Sequence, residues 1–114
     1  MEEGEDPCIE YTVELSSRCD KSYKKLSKKC DPKLLKSIND YIDQLETNPE
    51  LGEELSQDLK GMRSIHINPF HYRIVYQVEN GNPISKITIH AIAHRKEVYD
   101  ELSKYLGRQF RSNL

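Results

Sequence analysis

The sequence has no apolar run approaching the ~20 residues that a membrane-spanning helix needs, so we expect no transmembrane segment. It begins Met-Glu-Glu-Gly-Glu-Asp, where a secretory signal would be basic, so we expect no export. Its cysteines, Cys8, Cys19 and Cys30, are odd in number and spaced by eleven, a pattern that neither a disulfide framework nor a zinc ribbon shows. These absences predict a small, soluble, cytoplasmic protein.

Glycine-rich phosphate loops and nucleophile elbows are also missing from the sequence, which excludes the enzyme classes that depend on them. Residues 60–114 hold four acidic residues without a cluster of the kind that a metal-dependent nuclease needs. We therefore predict neither a metal nor another cofactor.

The composition favours one polar, folded domain. The chain has 114 residues, 36% of them hydrophobic and 32% charged, with a mean hydropathy of −0.78. The net charge of −2 conceals a strong asymmetry, because residues 18–36 carry eight bases against two acids while residues 40–58 carry seven acids and no base. Since surface potential acts locally, the near-neutral total does not exclude a polyanionic substrate.

The amino-terminal part predicts an acidic disordered leader over residues 1–8, then a strand and a helix. Strict alternation of apolar residues from 9 to 15 is typical of a half-buried strand. Ser17 is predicted to start the helix, with Asp20 completing a capping box. Lysines lie opposite the apolar stripe of this helix.

A second helix is predicted from Asp31 and Pro32, which suit an N-cap and a first turn, to the stop at residues 48–49. Two helices joined so closely should form an antiparallel hairpin. The acidic residues 50–61 are interpreted as a connector with at most a short helical turn.

The carboxyl-terminal half changes to a period of two and predicts strands at 63–68, 72–78 and 84–93. In the last strand, four apolar residues are predicted to share one face: Ile87, Ile89, Ala91 and Ala93. A final helix follows and stops at Gly107. The fold class is therefore α+β, ordered β-α-α-β-β-β-α, with a helical hairpin packed on an antiparallel sheet. The domain is assigned to residues 9–106 and a tail to 107–114.

Side chains suited to proton transfer and phosphate binding gather on these strands. His66 and Arg73 alternate with aliphatic residues that should face the helices, so both are predicted on the open face and close together. His94, Arg95 and Tyr99 follow at the end of the last strand. Imidazole or phenol groups can move a proton near neutral pH, and guanidinium groups can stabilise a pentavalent phosphate. The set suits cleavage of RNA by its own 2′-hydroxyl.

Each of these residues also has a structural interpretation. His66 can be an exposed strand residue without a role, Arg73 can pair with an acid on the sheet, and Tyr99 can be a core aromatic.

Three segments carry a family resemblance: Leu59-Lys60-Gly61-Met62-Arg63-Ser64-Ile65-His66, Tyr72-Arg73-Ile74-Val75-Tyr76-Gln77-Val78 and His94-Arg95-Lys96-Glu97-Val98-Tyr99. Together they resemble the RelE/ParE toxin superfamily. The resemblance implies the toxin of a type II toxin–antitoxin system. In its RelE-like form this is a metal-free endoribonuclease that cuts mRNA in the ribosomal A site, and a small RelB-like antitoxin neutralises it in a toxin–antitoxin hetero-oligomer.

The resemblance also implies roles for individual residues. Arg73 matches the arginine that stabilises the phosphate, and Tyr99 the tyrosine that stacks on the message or handles a proton. His66 stands where members carry a lysine or histidine base, Arg95 matches the arginine of the closing motif, and His94 is the candidate general acid. Candidates for RNA binding are Lys60, Arg63 and Lys96.

Two alternatives remain open within the superfamily. A ParE-like toxin shares the fold but inhibits DNA gyrase by binding and has no nuclease activity. The other alternative is a relative that has lost its toxin activity or is purely regulatory, because Ser64 and Ala93 stand where RelE-type toxins carry basic residues.

Overall fold

The computed structural model describes residues 11–55, 61–80, 85–100 and 102. The predicted leader, the end of the final helix and the tail therefore lie outside the described residues, and so does Lys60. Seven elements are defined, in this order: β1 Thr12–Leu15, α1 Ser17–Lys29, α2 Pro32–Leu45, β2 Glu53–Glu54, β3 Met62–Ile67, β4 Tyr72–Glu79 and β5 Lys86–His94. Residues 98–100 and 102 are helical.

The predicted α+β class is confirmed, with a mixed sheet. Five strands lie in the order β1-β5-β4-β3-β2. β1 pairs with β5 in parallel, whereas all the other pairs of neighbouring strands are antiparallel. The parallel pair is possible because the helical hairpin returns the chain across the sheet before the later strands begin. β2 was not predicted, since two glutamates give no alternating apolar pattern.

Both helices begin at side-chain caps. The Ser16 hydroxyl accepts from the backbone N–H of Cys19, so the cap is one residue earlier than predicted and Asp20 does not complete a capping box. Asp20 pairs instead with Lys24 at 3.2 Å, one turn along the exposed side of α1. The predicted cap of α2 is confirmed, because an Asp31 carboxylate oxygen accepts from the N–H of Lys33 at 2.8 Å.

The main core lies between the helical hairpin and one face of the sheet. Its fully buried members include Ile38 and Leu45 of α2, Ile74 and Tyr76 of β4, and Ile89 of β5. A smaller buried cluster lies on the opposite face: Met62, Val75, Ala91, Ala93, Val98 and Leu102. The three central strands β3, β4 and β5 therefore carry buried apolar side chains on both faces.

A β-bulge in β5 divides that strand between the two cores. Val75 pairs with Ala91 and the next residue, Tyr76, pairs with Ile89, which leaves His90 as the extra residue. Ile87 and Ile89 consequently face the helices, whereas Ala91 and Ala93 face the other side. The prediction that these four residues share one face is wrong, because the bulge shifts the alternation by one.

Tyr76 fixes the connector between α2 and β3 to the middle of the sheet. Its buried hydroxyl donates to the carbonyl oxygen of Pro49 at 2.8 Å and accepts from the N–H of Gly52, also at 2.8 Å. A β-carbon at Gly52 would lie 2.8 Å from the carbonyl oxygen of Ser64, so only glycine fits this approach. These contacts hold β2 beside β3.

No helix of the described segments is long and apolar enough to cross a membrane.

Candidate active site

His66 and Arg73 are directly opposite each other in the β3–β4 pair. Side chains at such positions share one face, with β-carbons about 4.5–5.5 Å apart. Their neighbours in the alternation, Ile65 and Ile74, are buried against the helices, so His66 and Arg73 point away from the hairpin. His66 is exposed and Arg73 is half-buried. The predicted placement of this pair is confirmed, whereas the roles of both residues stay predictions.

Tyr99 joins the pair through a hydrogen bond. A guanidinium N–H of Arg73 donates to the Tyr99 hydroxyl at 3.3 Å. The adjacent Val98 is completely buried against the smaller apolar cluster, so the packing of that residue sets the position of the tyrosine ring. The phenol, the guanidinium and the imidazole thus lie in sequence across one side of the sheet.

Arg95 reaches the same place from the end of β5. A small cleft of about 60 Å³ is lined by six residues: His66, Asn68, His71, Tyr72, Arg73 and Arg95. The backbone N–H of Arg95 donates to the carbonyl oxygen of His71 at 2.8 Å, which ties the two ends of the cleft together. His71 has a φ of 60°, in the left-handed region.

The cleft is suited to an anion. Within the described part of the chain, neither Arg73 nor Arg95 is paired with a carboxylate. Guanidinium groups that are not neutralised by a neighbour can donate several hydrogen bonds to phosphate oxygens. The structure therefore brings together four of the five predicted catalytic residues: His66, Arg73, Arg95 and Tyr99.

His94 is the predicted catalytic residue that the structure does not bring to the cleft. It follows the bulge at His90, so it lies on the helix side of the sheet, opposite Tyr72 of β4. Its ring meets that of Tyr72 edge-on at 5.7 Å between centroids and that of His71 at 6.4 Å. His94 and Arg73 thus lie on opposite faces, because the extra strand residue turns the His94 side chain over, and the role of His94 as general acid stays a prediction.

The predicted RNA-binding residues are dispersed. Arg63 lies on the helix side, where its guanidinium donates to the carbonyl oxygen of Gly52 at 2.7 Å, which gives it a structural contact away from the cleft. Lys96 is exposed just beyond β5, and Lys60 lies outside the described residues.

Two residues next to His66, Glu53 and Ser64, were not among the predicted site residues. Glu53 of β2 is directly opposite Ser64, which places its carboxylate on the same face as His66. All three line a depression of about 290 Å³. Ser64 is only 2% exposed, and its hydroxyl has no hydrogen-bond partner among the described residues. Glu53 could not be placed at the site from the sequence, because two adjacent glutamates show no alternating apolar pattern that predicts a strand.

The tyrosine at the edge of the cleft is not a base. Burial raises the pKa of the Tyr72 hydroxyl, and Coulomb interactions with Glu97 and Cys30 raise it further. The Tyr72 phenol is therefore protonated at neutral pH. Among the residues that the structure covers, no three His, Cys, Asp or Glu side chains are grouped to hold a metal ion.

Known structures share this fold. The RelBE2 toxin–antitoxin complex from Mycobacterium tuberculosis matches 80% of this chain and 98% of its own with 22% identity and a TM-score of 0.60. A YoeB/ParE toxin from Agrobacterium tumefaciens matches 74% and 98% with 22% identity and a TM-score of 0.63. An Escherichia coli RelE variant matches 84% and 97% with 17% identity and a TM-score of 0.64. These similarities establish the RelE-like fold.

The family follows from the sequence itself. The model of the ParE toxin of the type II toxin–antitoxin system parDE matches residues 13–99, which include the sheet, the hairpin and the cleft. The chain therefore belongs to this toxin family, within the RelE/ParE superfamily. A comparison with curated protein sequences gives no match.

Proposed function

We propose that this toxin is a ribosome-dependent, metal-independent mRNA endonuclease. The observation that carries the proposal is the His66–Arg73 pair, joined by Tyr99 and Arg95 on the face of the sheet away from the hairpin. A toxin that acts only by binding has no need of proton-transfer groups beside unpaired guanidinium groups. Cleavage of RNA through its own 2′-hydroxyl needs both.

In the proposed reaction, the 2′-hydroxyl loses its proton to His66 while its oxygen attacks the adjacent phosphorus. Arg73 and Arg95 donate hydrogen bonds to the phosphate oxygens as negative charge accumulates on them. The bond from phosphorus to the 5′ oxygen breaks, and that oxygen takes a proton. The products are a 2′,3′-cyclic phosphate and a 5′-hydroxyl.

Tyr99 is proposed as the donor of the second proton. Its hydroxyl accepts a hydrogen bond from Arg73, so its own proton is left to donate to the leaving oxygen. The nearby guanidinium also stabilises the phenolate that forms. Ribosomal A-site binding of the message supplies the orientation that a small domain cannot supply alone.

A small antitoxin of the RelB type is proposed as the partner in a toxin–antitoxin hetero-oligomer. The relative from M. tuberculosis is a toxin–antitoxin complex, and the Staphylococcus aureus YoeB protein is likewise found with YefM. The match to a ParE family supports the same kind of partner.

A gyrase-inhibiting toxin without nuclease activity is the second candidate. The family model that matches is that of the ParE toxin, which favours it. In that case growth arrest would come with failed replication while the message stays intact.

The two candidate functions are distinguished by a cleavage assay that contains purified ribosomes, a defined message and this protein. Mapping the ends should show cuts with a 2′,3′-cyclic phosphate and a 5′-hydroxyl. Arg73→Ala should lower the cleavage rate by ~10²–10³ because it removes a donor to the charged phosphate. The matched control is Arg18→Ala, an exposed arginine of α1 away from the cleft, which should cleave normally. An intact message together with inhibited gyrase would contradict the nuclease proposal.

A further inference from the structure

A second, larger groove lies on the helix side of the sheet, between the end of α1 and the end of β5. Its volume is about 440 Å³, within the ~300–1,000 Å³ that is common for ligand sites. Its apolar wall includes Leu26 of α1, Tyr72 of β4 and Ile92 of β5. The groove is open to solvent and distinct from the cleft that holds His66 and Arg73.

The polar groups of this groove are mostly cationic or hydrogen-bond donors. Lys25 and Lys29 project from adjacent turns of α1 and are exposed, and His94 lies at the opposite side. Neither lysine is in an ion pair with another described residue. Glu97 contributes one carboxylate to the lining, so the two lysines leave the groove with a net charge of one positive unit when His94 is neutral. This charge favours a polyanion over a neutral ligand.

His94 offers a donor to such a ligand. Its Nδ1 accepts a hydrogen bond from the backbone N–H of Lys96 at 3.2 Å. The proton of the neutral ring is therefore on Nε2, which is available to donate to an oxygen outside this contact.

The groove adjoins the cleft at one residue. Tyr72 lines both, and the edge-on contact between His94 of the groove and His71 of the cleft spans the boundary between them. A single strand bound at Arg73 and Arg95 can therefore pass over the end of the sheet onto the lysines of α1 without leaving the protein surface.

From this geometry we propose that the groove binds the nucleotide of the message next to the scissile phosphate. Lys25 and Lys29 contact its phosphate, His94 donates through Nε2, and the apolar wall packs against the base. His94 is thereby a substrate-binding residue and not the general acid. The inference rests on the proposed nuclease function and identifies a flanking subsite for it.

The test uses programmed ribosomes and the double variant Lys25→Ala/Lys29→Ala. Binding is measured with a message that carries a 2′-deoxy nucleotide at the cut site, since it cannot be cleaved. Loss of the lysine contacts to this phosphate should weaken the binding about tenfold and lower the slope of log affinity against log salt by about 0.7, the value for one neutralised phosphate of a single strand. The control Lys21→Ala/Lys28→Ala removes the same charge from α1 outside the groove.

Further expected results come from the kinetics of the groove variant and of His94→Ala, and from message binding by Glu97→Gln. The groove variant should raise KM with kcat unchanged, and its KM should no longer depend on the length of message flanking the cut. His94→Ala should also raise KM alone, whereas a general acid would lose ~10²–10⁴ in kcat. Glu97→Gln should strengthen binding of the message, because it removes the negative charge from the groove.

The outcomes separate this inference from the proposed function. If the wild-type protein cleaves the message and the groove variant matches its lysine control, the subsite is disproved and the nuclease stands. If only inhibition by an acidic partner protein changes in the groove variant, the groove binds that partner and not RNA. A wild-type protein that neither binds nor cleaves the message would overturn both.

Discussion

The two faces of the sheet are packed differently. The face under the hairpin is filled by large buried side chains, among them Ile74, Tyr76 and Ile89. On the other face the buried residues of β5 are the alanines at 91 and 93, and the cover is made by Val98 and Leu102. The smaller cover ends before His66 and Arg73, which leaves them accessible. Most of the stability therefore resides on one face, and the candidate chemistry on the other.

The largest expected effect on the open face comes from His66→Ala. Cleavage should fall by ~10²–10⁴ because a proton-transfer group is lost. Since the side chain is exposed, the free energy of unfolding should change by no more than about 0.5 kcal/mol. Cleavage assays and urea denaturation check the two parts. Normal cleavage by the variant would show that His66 is an exposed surface residue without a catalytic role.

On the helix side, Ile38→Ala should lower stability and leave activity intact, which is the opposite of the effect of His66→Ala. This side chain is completely buried, so its truncation should lower the free energy of unfolding by about 2–5 kcal/mol. Activity per folded molecule should be retained, as measured well below the melting temperature. Lys33→Ala, an exposed change on the same helix, is the control. A large loss of activity by fully folded Ile38→Ala protein would show that the faces are not independent.

Tyr76→Phe tests a polar contact inside the helix-side core. The change leaves the N–H of Gly52 and the carbonyl oxygen of Pro49 without their partner, at an expected cost of about 1–3 kcal/mol in unfolding free energy. Tyr41→Phe is a matched control, because that hydroxyl has no hydrogen bond among the described residues. Equal stability of the two variants would contradict a structural role for the Tyr76 hydroxyl.

The smallest expected effect is a pH dependence located at the bulge. Burial lowers the pKa of His90 from its ordinary 6.5, against an opposing effect of Glu79. The folded protein thus favours the neutral ring, and the unfolded chain binds the proton more readily. Stability should therefore fall as the pH decreases below 6.5, until the folded-state pKa is passed. Denaturation of His90→Gln above and below pH 6.5 should show a weaker dependence of stability on pH than the wild-type protein does. An unchanged dependence would show that another group causes it.

Much of the fold was predictable because its signals are local. Alternation identified the strands, and Asp31 with Pro32 marked the start of α2. The same alternation put His66 and Arg73 on one face, since β3 and β4 pair without interruption at that point. These features depend on neighbours in the chain, which the sequence displays directly.

The rest depends on pairing between distant residues. The bulge at His90 was not visible because residues 91–93 are all apolar, so either alternation fits them. Because the bulge was not predicted, regular alternation put His94 on the wrong side of the sheet. Likewise β2 exists because Tyr76 holds its connector against β3, and nothing in the two glutamates themselves signals a strand. The carboxylate of Glu53 was therefore left out of the predicted site.

The extra residue in β5 also marks a place where the gene could lose one codon at little cost to the site. Loss of the codon for His90 would make Ile89 and Ala91 neighbours on the opposite faces that they already occupy, so the strand would alternate without interruption and every later residue would keep its side. Ile92 would stay in the main core and His94 on the helix side. A codon lost between 91 and 94 would instead exchange the sides of the residues beyond it, so the two deletions would have opposite consequences for the end of the sheet.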